Sequence, residues 1–198
     1  MTTLALNIQM DGKLAVIIGG GSVALRKLRT LLAAGALVRM AALTVCSEII
    51  SLKESGGVNV RFGRYAETDL ENAFLVIAAT NDVAVNQQVA ADARQRGILV
   101  SVADSPATGT CIFPAILQRG DLEIAVSTAG RCPSFAIDVR NCIAEHIGPE
   151  FGAILEQLAE EREKLLTNGS SSTYNAQVLR SLARHLRAEF TERKESLP

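Results

Sequence analysis

Three consecutive glycines stand between an apolar segment and a helix-like segment, the arrangement that binds the pyrophosphate of a dinucleotide. The run Gly19-Gly20-Gly21 follows an apolar segment and, with Ala24, fits the pattern G-x-G-x-x-A. In this pattern Gly19 permits the tight turn, Gly21 admits the phosphates and Ala24 lets the helix pack closely on the strand. The N–H groups and dipole of that helix then face the phosphates. We predict a dinucleotide site here; a glycine turn that binds nothing is the alternative.

The second strand of the expected unit lacks the acidic residue that usually holds the ribose 2′-hydroxyl. Residues 37–43 contain Arg39 but neither Asp nor Glu. An arginine at this strand could bind a 2′-phosphate, which would favour NADP, or it could be a solvated charge. The residues by themselves leave NAD and NADP open.

Polar residues follow two further apolar segments, where the strands of a parallel sheet are expected to end. Thr80 and Asn81 follow the segment 73–79, where they could line a nucleotide or cap the next helix. Asp104 follows the segment 98–102. Its carboxylate could accept a proton while a hydride leaves for the cofactor, or it could open a turn in its own backbone.

A small, polar and basic segment precedes a later helix that begins at Pro133. Hydroxyl groups, free backbone N–H groups and a guanidinium lie close together there, as in an anion site. A simple helix cap is the alternative. The candidate ligands of the anion are Ser127, Thr128, Gly130 and Arg131.

The elements that must position these residues alternate between short apolar runs and helical stretches. This alternation is typical of βαβ units and a parallel sheet, so we predict an α/β fold with a Rossmann-like domain over residues 1–112. The predicted strands of that domain are 14–18, 37–43, 58–62, 73–79 and 98–102, and its predicted helices are 22–34 and 82–96.

The pattern changes after residue 112. Two apolar runs separated by Arg119-Gly120-Asp121 predict a hairpin, and little in one chain is expected to cover it. We therefore predict a strand–helix dimerisation segment over residues 113–147. A helical C-terminal region follows over 148–198, and the helices expected beyond the hairpin are 133–147, 149–166 and 174–195.

Composition excludes several classes of protein. The chain has 198 residues, with 20 Lys and Arg against 21 Asp and Glu, and 48% of its residues are hydrophobic. A net charge of −1 does not suit a nucleic-acid coat, and no apolar run is long enough for a membrane span. The N-terminus does not have the pattern of a secretory signal, so we expect a cytoplasmic protein. Four cysteines without a C-x-x-C pair and two histidines predict no metal site.

The motifs occur in an order and spacing that resembles the precorrin-2 dehydrogenase family, the stand-alone form of the N-terminal module of siroheme synthase. The resemblance covers roughly residues 1–145. The matching segments are Gly19-Gly20-Gly21-x-Val23-Ala24-x-Arg26-Lys27, Ala78-Ala79-Thr80-Asn81-Asp82 with Asn86, Asp104-x-Pro106, Phe113-Pro114-Ala115 and Ser127-Thr128-x-Gly130-x-x-Pro133.

The resemblance implies an NAD-dependent homodimeric enzyme that oxidises precorrin-2 to sirohydrochlorin on the route to siroheme. It implies Asp104 as the catalytic residue and tolerates the missing acid on the second strand. Some relatives also insert ferrous iron, and that activity stays open here. An NAD(H)-binding regulatory module without catalysis is the alternative function. The residues expected to contact NAD by this resemblance are Ser22, Val23, Leu43 and Thr44.

The substrate of this family carries several carboxylates, whereas the chain is slightly acidic overall. Local basic groups must then attract the substrate. The nearest candidates along the sequence are Arg131, Arg119 and Arg140.

Overall fold

The computed structural model describes residues 2–167 and 172–195. The chain divides into two compact units, Met1–Phe113 and Pro114–Pro198. The first contains a parallel sheet with helices, and the second contains a hairpin followed by helices. The predicted α/β class, with its Rossmann-like sheet, hairpin segment and helical C-terminal region, is confirmed.

Five parallel strands form the sheet of the first unit in the order β3-β2-β1-β4-β5. This order reverses direction between β1 and β4, which opens a crevice at the carboxyl ends of those two strands. The strands are β1 (Leu14–Ile18), β2 (Leu37–Ala42), β3 (Asn59–Phe62), β4 (Leu75–Ala78) and β5 (Leu99–Val102), and the helices are α1 (Ser22–Ala33), α2 (Ser47–Glu54) and α3 (Val83–Gln95).

The central strand β1 is apolar throughout because both of its faces are covered. Ile17 packs in one cluster with Leu28 of α1, and Val16 packs in the other with Val89 of α3. Each of these side chains is fully buried. A strand covered on both faces loses the apolar–polar alternation of a half-exposed strand. The continuous apolar run at the start of the sequence therefore predicted β1 correctly.

Helix α2 was not predicted from the sequence. Ile49 is the one residue of this short helix that is fully buried, and its exposed positions include Ile50. An amphipathic pattern needs several buried positions on one face, and α2 does not have them.

The second unit begins with an antiparallel hairpin of β6 (Ala115–Arg119) and β7 (Leu122–Val126), as expected. The expectation that its own chain leaves it uncovered is wrong. Helices α4 (Pro133–His146) and α5 (Glu150–Thr167) both contact the hairpin, and Leu117 is only 4% exposed. One face of the hairpin faces these helices, while the other face leaves Ile116 partly exposed.

Helix α6 (Ser172–Glu195) completes the second unit and packs against α5. A further boundary at residue 147, between a dimerisation segment and a C-terminal region, stays a prediction. No helix within residues 2–167 and 172–195 combines the length and hydropathy needed to cross a membrane.

Candidate cofactor site at the carboxyl edge of the sheet

The glycine turn packs tightly between the backbone that follows β2 and the backbone that follows β4, the two strands on either side of β1. Gly19 has a φ of +122°, and a Cβ on it would collide with the carbonyl oxygen of Ala79. A Cβ on Gly20 would collide with the carbonyl oxygen of Thr44. Any side chain at either position would force apart the ends of β1, β2 and β4. Both glycines are therefore required by packing before any ligand is considered.

Gly21 differs from its neighbours because a Cβ on it would meet no atom within 4 Å. It is the residue before α1, whose first turn has neither a side-chain cap nor an acidic residue. Among the described residues, no side chain accepts a hydrogen bond from the first N–H groups of α1, and these groups lack intrahelical partners. Open space in front of free N–H groups at a helix N-terminus fits a phosphate group. These residues fit the pyrophosphate of a dinucleotide.

The other residues expected to contact NAD lie around this turn. Ser22 and Val23 are exposed on the first turn of α1, and Ala24 is fully buried against the sheet. Leu43 is 67% exposed, and Thr44 is also exposed just after β2. Ser22, Val23, Leu43 and Thr44 are therefore open to a ligand, whereas Ala24 acts through packing.

Arg39 does not lie at the ribose end of β2. Its guanidinium donates a hydrogen bond to the carbonyl oxygen of Glu71, which precedes β4. Residues that precede a parallel strand lie at the amino edge of the sheet, opposite the glycine turn. The interpretation of Arg39 as a ligand for a 2′-phosphate therefore has no support from its position.

In the turn between β4 and α3, the residue that caps the helix differs from the residue that is open to a ligand. Asp82 caps α3 by accepting hydrogen bonds from the N–H groups of Ala84 and Val85 at 2.9 and 3.3 Å. The Thr80 hydroxyl is occupied within the protein, because it donates to Asn86 Oδ1 at 2.7 Å. The exposed Asn81 side chain takes part in none of the hydrogen bonds found in the described residues. Asn81, rather than the Thr80 hydroxyl, is free to reach a ligand.

Asp104 lies at the same edge, beside the end of β4. The N–H of Ala103 donates to the carbonyl oxygen of Ala78 at 2.9 Å, which continues the ladder beyond β5. The Asp104 carboxylate is exposed, and within the described residues it accepts no hydrogen bond from its own turn. The turn that follows is instead closed by Thr108 on Ser105. The carboxylate is thus available to take a proton.

A lysine on α1 is largely desolvated behind the glycine turn. The Lys27 ammonium lies 3.7 Å from the centroid of the Phe113 ring, and it belongs to no ion pair of the described residues. Burial lowers its pKa from 10.5 to about 8, and the Arg26 charge acts in the same direction. Burial also raises the pKa of the neighbouring Cys111 thiol to about 11.

The expected anion site lies in the second unit, between β7 and α4. The Ser127 hydroxyl accepts a hydrogen bond from the N–H of Ala129, and the Thr128 hydroxyl accepts one from the N–H of Cys132. Ala129 has a φ of +52° and Gly130 a φ of +78°. The hydroxyls of Ser127 and Thr128 therefore stabilise the conformation of their own loop.

The basic residues suggested as substrate ligands differ in their availability. Arg131 is exposed beside this loop. Arg119 donates to the carbonyl oxygens of Ile147 and Gln118, so its guanidinium stabilises its own unit. The Nε of Arg140 is buried and has no hydrogen-bond partner among the residues that the structure describes. Of the three arginines, Arg131 alone is exposed.

No group of three or more metal-binding side chains comes together within the part of the chain that the structure describes. The Nδ1 of His146 donates a hydrogen bond to the carbonyl oxygen of Cys142, 3.0 Å away and one turn earlier in α4.

Two residues of this edge were not assigned a physical role from the sequence. The contact of Gly20 with Thr44 joins positions far apart in the chain, and no local pattern signals it. Asn86 is fully buried, and it shares its face of α3 with Val89, Ala90 and Ala93. A polar residue on an otherwise apolar helix face was the available signal.

Comparison with known proteins agrees with this geometry. Residues 6–115 match a family described as putative NAD(P)-binding. The siroheme synthases of Pseudomonas entomophila and Methylococcus capsulatus are each 39% identical over 165 residues, which is 83% of this chain. The match covers 36% and 35% of those two proteins, so the chain spans about a third of their length. The structure of SirC, a precorrin-2 dehydrogenase, is 25% identical with a TM-score of 0.77, and the match covers 96% of this chain and 100% of that one.

Proposed function

The chain belongs to the family of putative NAD(P)-binding proteins, and on that premise we propose that it oxidises precorrin-2 to sirohydrochlorin with NAD. The observation that carries the proposal is the placement of Asp104 at the same sheet edge as the glycine turn. The structural likeness to SirC along nearly the whole chain supports the choice of substrate. The comparisons with known proteins confirm the family that the sequence motifs resemble.

The chain's own residues supply binding, orientation and a proton acceptor. The N–H groups that begin α1 hold the pyrophosphate in the space in front of Gly21, and Asn81 orients the ligand near the end of β4. When bound, the nicotinamide supplies a hydride acceptor. The two hydrogens removed from precorrin-2 would leave as a hydride from carbon, which the bound nicotinamide would accept, and as a proton, which Asp104 would take; a double bond would form in the macrocycle. The products are sirohydrochlorin, NADH and a proton.

NAD is proposed over NADP because the two residues that directly follow β2 are uncharged. Leu43 and Thr44 occupy that position, and Arg39 is held at the opposite edge. A 2′-phosphate carries negative charge and binds well where a cation meets it. We expect a lower KM for NAD than for NADP, and the reverse ranking would contradict this part of the proposal.

An anaerobic assay with precorrin-2 and NAD tests the reaction. Sirohydrochlorin formation is followed by absorbance, and Asp104→Asn is compared with the wild type. We expect the variant to bind NAD with unchanged affinity and to lose most of its turnover, because an amide cannot accept the proton. Normal turnover of Asp104→Asn would remove this residue from the mechanism. NAD binding by the wild type without any oxidation of precorrin-2 would favour the regulatory module instead.

Adding ferrous ion at the end of that assay tests whether the protein also inserts metal. A changed spectrum of sirohydrochlorin would show insertion, and an unchanged one would make the protein a dehydrogenase alone.

We propose that Arg131 attracts the carboxylates of the substrate. It is exposed at a loop whose neighbours Ser127, Thr128 and Gly130 bring hydroxyl and backbone groups close together. Arg131→Ala should raise the KM for precorrin-2 and leave the affinity for NAD unchanged. An unchanged KM for precorrin-2 would exclude Arg131 from the substrate site.

We propose a homodimer formed through residues 113–147. Helix α4 has an apolar groove lined by Phe135, Val139 and Ile143, and Phe135 is 58% exposed. Exposed apolar patches of this kind mark association surfaces. Light scattering should give twice the mass of the chain, and Phe135→Asp should shift it towards one chain. A monomeric wild type would refute the dimer. The cytoplasmic location expected from the N-terminal sequence stays a prediction.

A further inference from the structure

We propose that Asn86 is a positioning residue that holds the turn after β4 in the conformation that binds the cofactor. This inference rests on the proposed nucleotide site at the carboxyl edge of the sheet. Asn86 lies in the second turn of α3, behind Thr80 and Asn81, and it is 1% exposed. It cannot touch a ligand in the crevice, so any effect on binding must act through the turn.

The Asn86 amide makes three hydrogen bonds to one residue of the turn. Its Oδ1 accepts from the backbone N–H of Thr80 at 3.1 Å and from the Thr80 hydroxyl at 2.7 Å. Its Nδ2 donates to the carbonyl oxygen of Thr80 at 3.1 Å. The N–H, the carbonyl and the side chain of Thr80 are thus all fixed by one buried group.

These bonds set the direction in which the chain leaves β4. Ala79, just before Thr80, is bonded to Ile18 through its N–H and presents its carbonyl to Gly19. Asp82, just after the turn, donates its N–H to the Thr80 hydroxyl at 3.1 Å and caps α3. Asn81 stands between these anchored residues, so the orientation of its exposed side chain depends on the bonds that Asn86 makes.

An amide is the side chain that this position requires. One side chain can form hydrogen bonds with both the N–H and the carbonyl of Thr80 only if it carries an acceptor and a donor. A leucine of similar size would fill the space but leave these polar groups unpaired in the interior. A buried asparagine on an apolar helix face costs stability unless such bonds compensate for it. The hydrogen bonds between Asn86 and Thr80 supply that compensation.

The test compares Asn86→Ala with Val89→Ala in the full-length protein. Val89 lies one turn further along the same buried face of α3 and is fully buried, so its truncation damages packing without touching Thr80. The readouts are the Kd for NAD, the KM for NAD, kcat at saturating NAD, and the melting temperature. Asn86→Asp, which keeps the size and the acceptor oxygen but removes the N–H donor to the Thr80 carbonyl, serves as a second variant if Asn86→Ala does not fold.

We expect the Asn86 variant to raise the Kd and KM for NAD by about tenfold or more, with kcat changed little. A turn that populates the binding conformation only a tenth of the time weakens the apparent affinity by that factor. Val89→Ala should lower the melting temperature comparably and leave the Kd for NAD within about twofold of the wild type.

Equal Kd values for the Asn86 variant and the wild type, with NAD binding intact in the latter, would overturn the positioning role alone. Equal losses of affinity in the Asn86 and Val89 variants would also overturn it, because the effect would then be one of general stability. Absence of NAD binding in the wild type would overturn the proposed function together with this inference.

Discussion

Replacing Lys27 with methionine is expected to stabilise the protein near neutral pH. The ammonium of Lys27 is packed over Phe113, and burial is the main reason for its lowered pKa. A pKa lowered from 10.5 to about 8 means that the charged form is disfavoured by about 3 kcal/mol relative to the unfolded chain. The ring contact and the partial exposure of the side chain offset some of this cost. Methionine has a similar length and no charge, so we expect a gain of about 1–3 kcal/mol at pH 7.

The sign of the pH dependence follows from the direction of the pKa shift. In the folded protein Lys27 releases its proton near pH 8, whereas the unfolded chain keeps the proton until about pH 10.5. Between these values the unfolded state binds more protons, so the free energy of unfolding of the wild type rises with pH. Below pH 8 the full cost of the buried charge is present. In Lys27→Met this rise should be absent.

Denaturant unfolding of wild type and variant at several values between pH 7 and 9.5 measures both effects. Burial raises the pKa of the Cys111 thiol to about 11, so it stays protonated in the folded protein over this range. It ionises near the upper limit only in the unfolded chain, and it does so in wild type and variant alike. Lys53→Met is the matched control, because Lys53 also lies over an aromatic ring, Phe62 at 5.1 Å, but is exposed. The control should change the free energy of unfolding by less than about 0.5 kcal/mol. A Lys27 variant that is no more stable than the wild type at pH 7, or that keeps the rise above pH 8, would refute the reasoning.

Four further substitutions test the backbone geometry. Gly21→Ala should leave the melting temperature nearly unchanged and weaken NAD binding, because its Cβ enters open space where the phosphates are expected. Gly20→Ala should instead destabilise the fold, because its Cβ collides with the backbone after β2. Equal effects of the two substitutions on melting temperature and NAD binding would contradict the assignment of Gly21 to the phosphate site. Ala129→Gly should raise the free energy of unfolding by up to about 1 kcal/mol, because Ala129 has a positive φ; a loss of stability in denaturant unfolding would contradict this. Gly152→Ala should lower the melting temperature of the second unit, since its Cβ would lie 2.8 Å from a carbonyl oxygen at the end of β6; an unchanged value would show that α5 can shift.

The sequence predicted the elements that have a local pattern of apolar or turn-forming residues. It missed an element whose contacts with the rest of the fold leave no such pattern. The apolar run before Gly19 and the turn residues after it are local signals, so β1, the glycine turn and α1 were predicted in place. Helix α2 has one fully buried residue, Ile49, and so no pattern to detect.

The sequence left the roles of two candidate residues open, and the structure shows which atoms each of them contacts. Thr80 was expected to line the nucleotide or cap a helix, but its hydroxyl is bonded to Asn86. Arg39 was left between a phosphate ligand and a solvated charge, and its partner turned out to be the backbone of Glu71. In both cases the deciding partner lies on another element, which composition and spacing along one segment do not reveal.

The ladder that continues past the strand ends has a consequence for how this site can change. Gly19 donates to Ala41, Ala79 to Ile18 and Ala103 to Ala78, so main-chain hydrogen bonds join the loops to one another. Exposed side chains at the same edge, such as Leu43, contribute nothing to that framework. Single substitutions of exposed side chains can therefore alter the specificity for the nucleotide while the backbone of the site keeps its shape. Such a backbone can serve as a scaffold for many different reactions.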